Sequence, residues 1–95
     1  MKSKIQMDYI YMEDGTSVLI EEIQRETREN LIAQYTQCRK DKKLTQEELA
    51  KLSGMSRTNI TRFESGKYNP TLEMMVKIAA ALDMKLTVGL EEKSE

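Results

Sequence analysis

Three side chains suited to reading polar edges fall within six residues of one another: Arg57, Thr58 and Arg62. A guanidinium can donate two parallel hydrogen bonds, to guanine O6 and N7 for instance, a pairing worth roughly 1–3 kcal/mol of discrimination. A threonine offers a hydroxyl for a base acceptor and a methyl for that of thymine. Arg62 can reach a base or a phosphate. Around them Ser56, Asn59, Gln46, Lys43, Lys67, Tyr68 and Asn69 supply donors suited to phosphate oxygens, which position a duplex without specifying its sequence. The alternative for each single basic residue is a solvated surface charge, which is expected of Lys40, Lys51 and Lys77 and least expected of Arg57, given the residues around it. Other chemistry is short of parts. Histidine is absent and Cys38 is the single cysteine, which excludes an internal disulfide and a cysteine-rich zinc site. The adjacent acids Glu47 and Glu48 lie side by side on a helix surface and do not converge on one point. No metal, no cofactor and no catalytic activity are expected.

The elements that would hold these donors are legible in residues 44–70. Leu49, Ala50 and Leu52 recur at helical spacing, and Ile60 and Phe63 lie three apart on one face after Met55. Thr45 can cap the first helix and Glu48, three residues on, completes a capping box. Gly54 after Ser53 ends that helix, because glycine takes the left-handed conformation without a Cβ penalty. Ser56 caps the next one, so the chain starts a new axis within a few residues. The result is a helix-turn-helix followed by a basic loop. Arg57 and Thr58 occupy the first turn of the second helix, and Arg62 lies on the same side, opposite Ile60 and Phe63.

The stretch resembles the Cro/cI-type (XRE) helix-turn-helix family of phage repressors and bacterial regulators. The resemblance rests on Thr45, Gln46, Glu47, Glu48, Leu49, Ala50, Gly54, Ser56, Ile60, Phe63, Glu64, Ser65, Gly66, Lys67 and Pro70. It extends from about Leu31 to about Leu82. It implies a lambda-repressor-like helical bundle that binds double-stranded DNA. It places base-reading positions at Arg57, Thr58 and Arg62, and a backbone-clamping glutamine at Gln46. It puts Leu31, Tyr35 and Cys38 on the first core helix, and implies a partly buried ion pair between Arg39 and Glu64. Family members bind near-palindromic sites as two-fold dimers, because one such motif covers only a few base pairs.

The fold class expected is mainly α, with a short terminal β-strand. Residues 1–16 form an N-terminal arm, within which residues 4–12 alternate as a strand does; a disordered arm is the alternative. Glu13, Asp14 and Gly15 signal a turn. Residues 17–83 form the helical domain, its first helix running over 17–43 behind a Thr16 or Ser17 cap, with Ile20, Ile23, Thr27, Leu31, Tyr35 and Cys38 on one face. Two helices broken near Arg28, Glu29 and Asn30 are the other reading. Thr71 caps a last helix whose apolar residues are Leu72, Met75, Val76, Ala79, Ala80 and Leu82. Residues 84–95 form a strand and an acidic tail: Met84, Leu86, Val88 and Leu90 share one face over 84–90. That strand needs a partner, either the N-terminal strand or its own copy across a dimer axis.

Net charge of −1 conceals a division. Residues 39–70 hold eight Lys and Arg against four acids, and the remainder holds seven against twelve. A basic module in an acidic frame can bind phosphate locally, because salt screens charges beyond about 10 Å. No apolar run is long enough to span a membrane, and the first residues lack the apolar core of a signal peptide. Taken with these features, the resemblance implies a cytoplasmic, nucleoid-associated, dimeric transcriptional regulator, a repressor by operator occupancy, without a sensor domain. The alternatives are an antitoxin that also represses its own operon, or an interaction module that has lost DNA binding. A short module followed by a strand resembling KLTV resembles HigA- and HipB-like antitoxins, and the acidic N-terminal extension would then face a basic toxin.

Overall fold

A computed structural model describes residues 9–11 and 17–92, with side chains from Ile20 onward. Strand β1 (Tyr9–Tyr11) pairs antiparallel with β2 (Ser17–Leu19), Ile10 opposite Val18. The rest of the strand expected over 4–12, and the turn signal at 13–15, lie outside the described residues. β2 runs directly into α1 (Ile20–Asp41), so Ser17 is a strand residue and not a helix cap. α1 continues unbroken through Arg28, Glu29 and Asn30 for 22 residues, about 33 Å. No Gly or Pro interrupts it, and its acidic first turn and basic last turn both suit the helix dipole.

α2 (Gln46–Ser53), α3 (Arg57–Ser65) and α4 (Leu72–Ala81) follow, each behind a side-chain cap. Thr45 Oγ1 accepts the Glu48 N–H at 3.0 Å while the Glu48 carboxylate accepts the Thr45 N–H at 2.8 Å, closing the capping box. Gly54 ends α2 at φ 73°, and Gly66 ends α3 at φ 71°. Ser56 and Thr71 accept the Asn59 and Met74 N–H groups.

The core is built from Ile32 and Tyr35 of α1, Leu49 and Ala50 of α2, Ile60 and Phe63 of α3, and Ile78, Ala79 and Leu82 from α4 and its end. Tyr35 and Phe63 meet edge to face, ring centroids 5.0 Å apart. The Tyr35 hydroxyl donates to the Met75 carbonyl at 2.8 Å, and burial pushes its pKa above the usual tyrosine value. Cys38 lies half-buried against this core.

Four expectations from the sequence are corrected. Ile78, not singled out there, is fully buried and centres the inward arc of α4, which leaves Leu72, Val76 and Ala80 exposed. Leu52 is likewise exposed, at 60 %, because Leu49 and Ala50 take the inward positions of α2. On α1 the buried pair is Ile32 and Tyr35, while Ile23 and Thr27 face solvent. The terminal strand is also not formed. Residues 84–90 are irregular, with Leu86 half-buried and Met84, Val88 and Leu90 exposed. Alternation gives a segment the capacity to pair, but no described strand lies beside this one to accept its ladder.

Candidate nucleic-acid interface

The exposed side of α3 is a shallow groove lined by Gln46, Arg57, Thr58, Thr61, Arg62 and Ser65. Its members recur at three- and four-residue steps, opposite the buried Ile60 and Phe63. The sequence reading omitted Ser65 from the site, although it continues the same spacing. Arg57 is the first residue of α3, whose first turn has no acid, whereas that of α2 carries Glu47 and Glu48. A cation at a helix N-terminus opposes the macrodipole at a cost of a few tenths of a kcal/mol. A local rule broken on an exposed surface points to a ligand that supplies negative charge.

Gln46 is held from beneath. Arg39 donates from Nε to Glu64 Oε2 at 2.7 Å and from Nη2 to Oε1 at 3.0 Å. Its Nη1 donates to the Leu44 carbonyl at 2.7 Å, tying the α1–α2 turn to the same fork. The pair is largely buried, with side chains 12 % and 6 % exposed. Glu64 Oε1 also accepts from Gln46 Nε2 at 3.0 Å, and Gln46 Oε1 accepts from Thr61 Oγ1 at 3.0 Å. Arg39, Glu64, Gln46 and Thr61 are therefore one chain of hydrogen bonds across α1, α2 and α3. It fixes the amide of Gln46 and leaves one of its two N–H donors free, beside the backbone N–H groups that open α2.

Beyond α3 the loop folds back beside the groove. The Arg62 guanidinium lies 5.6 Å from the Tyr68 ring centroid, within cation–π range. Ser65 Oγ donates to the Arg62 carbonyl and accepts the Lys67 N–H at 3.2 Å. The Tyr68 hydroxyl donates to the Met74 sulfur. Lys67 is exposed. Asn69 is engaged, its Oδ1 accepting from Arg28 Nη1 at 2.7 Å.

The remaining candidates lie apart from the groove. Ser56 and Asn59 line a different hollow with Thr71, Glu73, Met74 and Lys77, on the α4 side of α3. Ser56 is occupied there as the α3 cap. Lys43 is exposed in the α1–α2 turn at φ 59°. The structure thus gathers Arg57, Thr58, Arg62 and Gln46 on one surface and does not bring Ser56 or Asn59 to it. Arg28 was missed by the sequence reading, because no local signal connects it to a loop 38 residues away.

The bundle and this surface define a helix-turn-helix protein. The chain belongs to the Cro/cI-type (XRE) helix-turn-helix family: the family profile, described as helix-turn-helix, matches residues 36–88, more than half of the chain. An uncharacterized HTH-type transcriptional regulator of Archaeoglobus fulgidus is 49 % identical over 43 residues, 45 % of this chain and 61 % of that protein. The ImmF control region 10 kDa protein of Bacillus phage phi105 is 42 % identical over 50 residues, 53 % of this chain and 56 % of that one. The match thus spans about three-fifths of the length of these relatives. A toxin–antitoxin module from Streptococcus pneumoniae has a similar structure, with TM-score 0.62 and 26 % identity, over 87 % of this chain and 85 % of that one. Among the described residues no helix is long and apolar enough to cross a membrane.

Proposed function

We propose that this protein is a sequence-specific DNA-binding repressor that acts as a two-fold dimer on a near-palindromic operator in the nucleoid. The observation that carries this is the single exposed groove of Arg57, Thr58, Thr61, Arg62 and Ser65, with Gln46 locked at its edge by the Arg39–Glu64 pair. In this reading α3 enters the major groove, and its first turn meets the base edges. Arg57 reads guanine, Thr58 meets a thymine methyl or a base acceptor, and Arg62 reaches base or phosphate from its seat on Tyr68. Gln46 and the loop donors Lys67 and Asn69 grip phosphates on either side, with Tyr68 seating Arg62 and Lys43 a further exposed cation in the α1–α2 turn. Two copies, joined through the exposed apolar side chains Met84, Val88 and Leu90 of the C-terminal segment, would present two α3 helices about 34–36 Å apart.

A second reading is favoured by the structural likeness to a toxin–antitoxin module. In the N-terminal half of α1 every residue from 21 to 27 is exposed, and this half carries Glu21, Glu22, Glu26 and Glu29 against Arg25 and Arg28. That acidic half-helix suits a basic protein partner, and a small basic toxin encoded beside this gene would favour it.

Selection of bound fragments from genomic DNA by the purified protein, at two salt concentrations, tests the first reading. A near-palindromic site whose binding weakens steeply with salt is expected. No enriched sequence at either salt would overturn it and leave a module whose partner is protein.

A further inference from the structure

Arg28 makes two long-range hydrogen bonds from one planar group. Its Nε donates to the Gly66 carbonyl at 2.8 Å and its Nη1 to Asn69 Oδ1 at 2.7 Å. The acceptors sit at the two ends of a four-residue loop, with Lys67 and Tyr68 between them. Gly66 itself is buried and left-handed, seated near the Glu29 side chain. The other side of the loop is tied to α3, through the Lys67 N–H on Ser65 Oγ and the Arg62 guanidinium on Tyr68. With its oxygen taken by Arg28, the exposed Asn69 keeps its amide N–H donors for another partner. Arg28 lies upstream of the residues matched by the family profile, in the N-terminal half of α1.

We propose that Arg28 is a positioning residue for DNA binding: it holds the loop from Gly66 to Asn69 in the shape in which Lys67 and Asn69 meet a phosphate. This rests on the DNA-binding reading above. Arg28 acts through the loop. A loop ordered beforehand loses little freedom when it binds, whereas a released loop loses it at that moment. Because phosphate contacts carry no sequence information, the effect falls on operator and random DNA alike.

The test uses the full chain with the selected operator and a random duplex, titrated over a range of salt, alongside thermal unfolding. Arg28→Ala is expected to weaken binding to both duplexes by the same factor, about tenfold, the cost of ordering one or two side chains on binding. The slope of log affinity against log salt should fall by about one, because Lys67 is the one cation in the loop from Gly66 to Asn69. Arg28→Lys should resemble Arg28→Ala, because an ammonium keeps the charge but cannot span both acceptors as the guanidinium fork does. Asn69→Ala should shift binding in the same direction and add little to Arg28→Ala. Unchanged affinity and salt slope in Arg28→Ala would overturn the inference, as would an Arg28→Lys protein that matches the parent. A changed operator-to-random ratio would overturn it too, since the effect would then run through α3. If Arg28→Ala does not fold, Asn69→Ala decides: it is exposed, and parental affinity and slope there would overturn the clamp. A parent that binds no DNA overturns the DNA-binding reading and this inference together.

Discussion

The guanidinium of Arg39 uses its full fork, two bonds to Glu64 and one to the Leu44 carbonyl. Such a buried pair adds little over well-packed apolar side chains, but removing one partner strands the other charge. Arg39→Ala should therefore cost about 3 kcal/mol, and chemical denaturation is the measurement. A loss below about 0.5 kcal/mol, the level of an exposed pair, would show that Glu64 is rescued by water. The same change frees Gln46, whose amide depends on Glu64 for its direction. At this scale the exposed face of α3 was legible, because Arg57, Thr58 and Arg62 are fixed by helical periodicity alone. The partnership of Arg28 with Gly66 and Asn69 was not. It joins residues 38 and 41 apart, and only the closed fold brings them together.

Helix boundaries were written in short-range chemistry, and α2 and α3 begin and end where caps and glycines place them. Gly54 isolates one such signal. A Cβ built there would meet nothing within 4 Å, so a substitution is opposed by the backbone alone, at φ +73°. Gly54→Ala should lower stability by about 1 kcal/mol through left-handed strain, with no repacking of the core. Thermal unfolding of the pair checks this, and an equal or higher midpoint would contradict it. The elements that depend on other elements were less legible. The alternation over 84–90 describes a segment able to form a strand, yet pairing requires a neighbour that the sequence does not supply locally. In α4 a nearly continuous apolar run left the inward face ambiguous. The core settled on Met75, Ile78, Ala79 and Leu82, and turned Leu72 and Val76 outward.

Ninety-five residues build a core of nine buried apolar side chains among the described residues, small enough that self-association would matter to stability. In the dimer proposed here, Val88 and Leu90 are covered by the second copy; in the single chain they are 77 % and 104 % exposed. Val88→Asp with Leu90→Asp should leave the helical bundle folded and shift the protein to monomer at micromolar concentration, read by sedimentation. Operator binding should then weaken far more than binding to a single half-site. An unchanged sedimentation coefficient would place the dimer contact elsewhere, and the exposed Leu72 and Val76 of α4 would be next in line. Charge is divided at this scale as well, with a basic segment over residues 39–70 inside a more acidic chain. That division was legible from the sequence without any structure.

The most direct test of base reading by α3 is the ratio of operator to random-duplex affinity, measured side by side for the parent and Arg57→Ala at one salt concentration. The ratio is expected to fall by about tenfold or more in Arg57→Ala, the loss of one bidentate base contact, with helical content and thermal midpoint unchanged. A folded Arg57→Ala protein that keeps the parent's ratio would contradict the assignment of Arg57 and of the α3 groove as the surface that reads sequence.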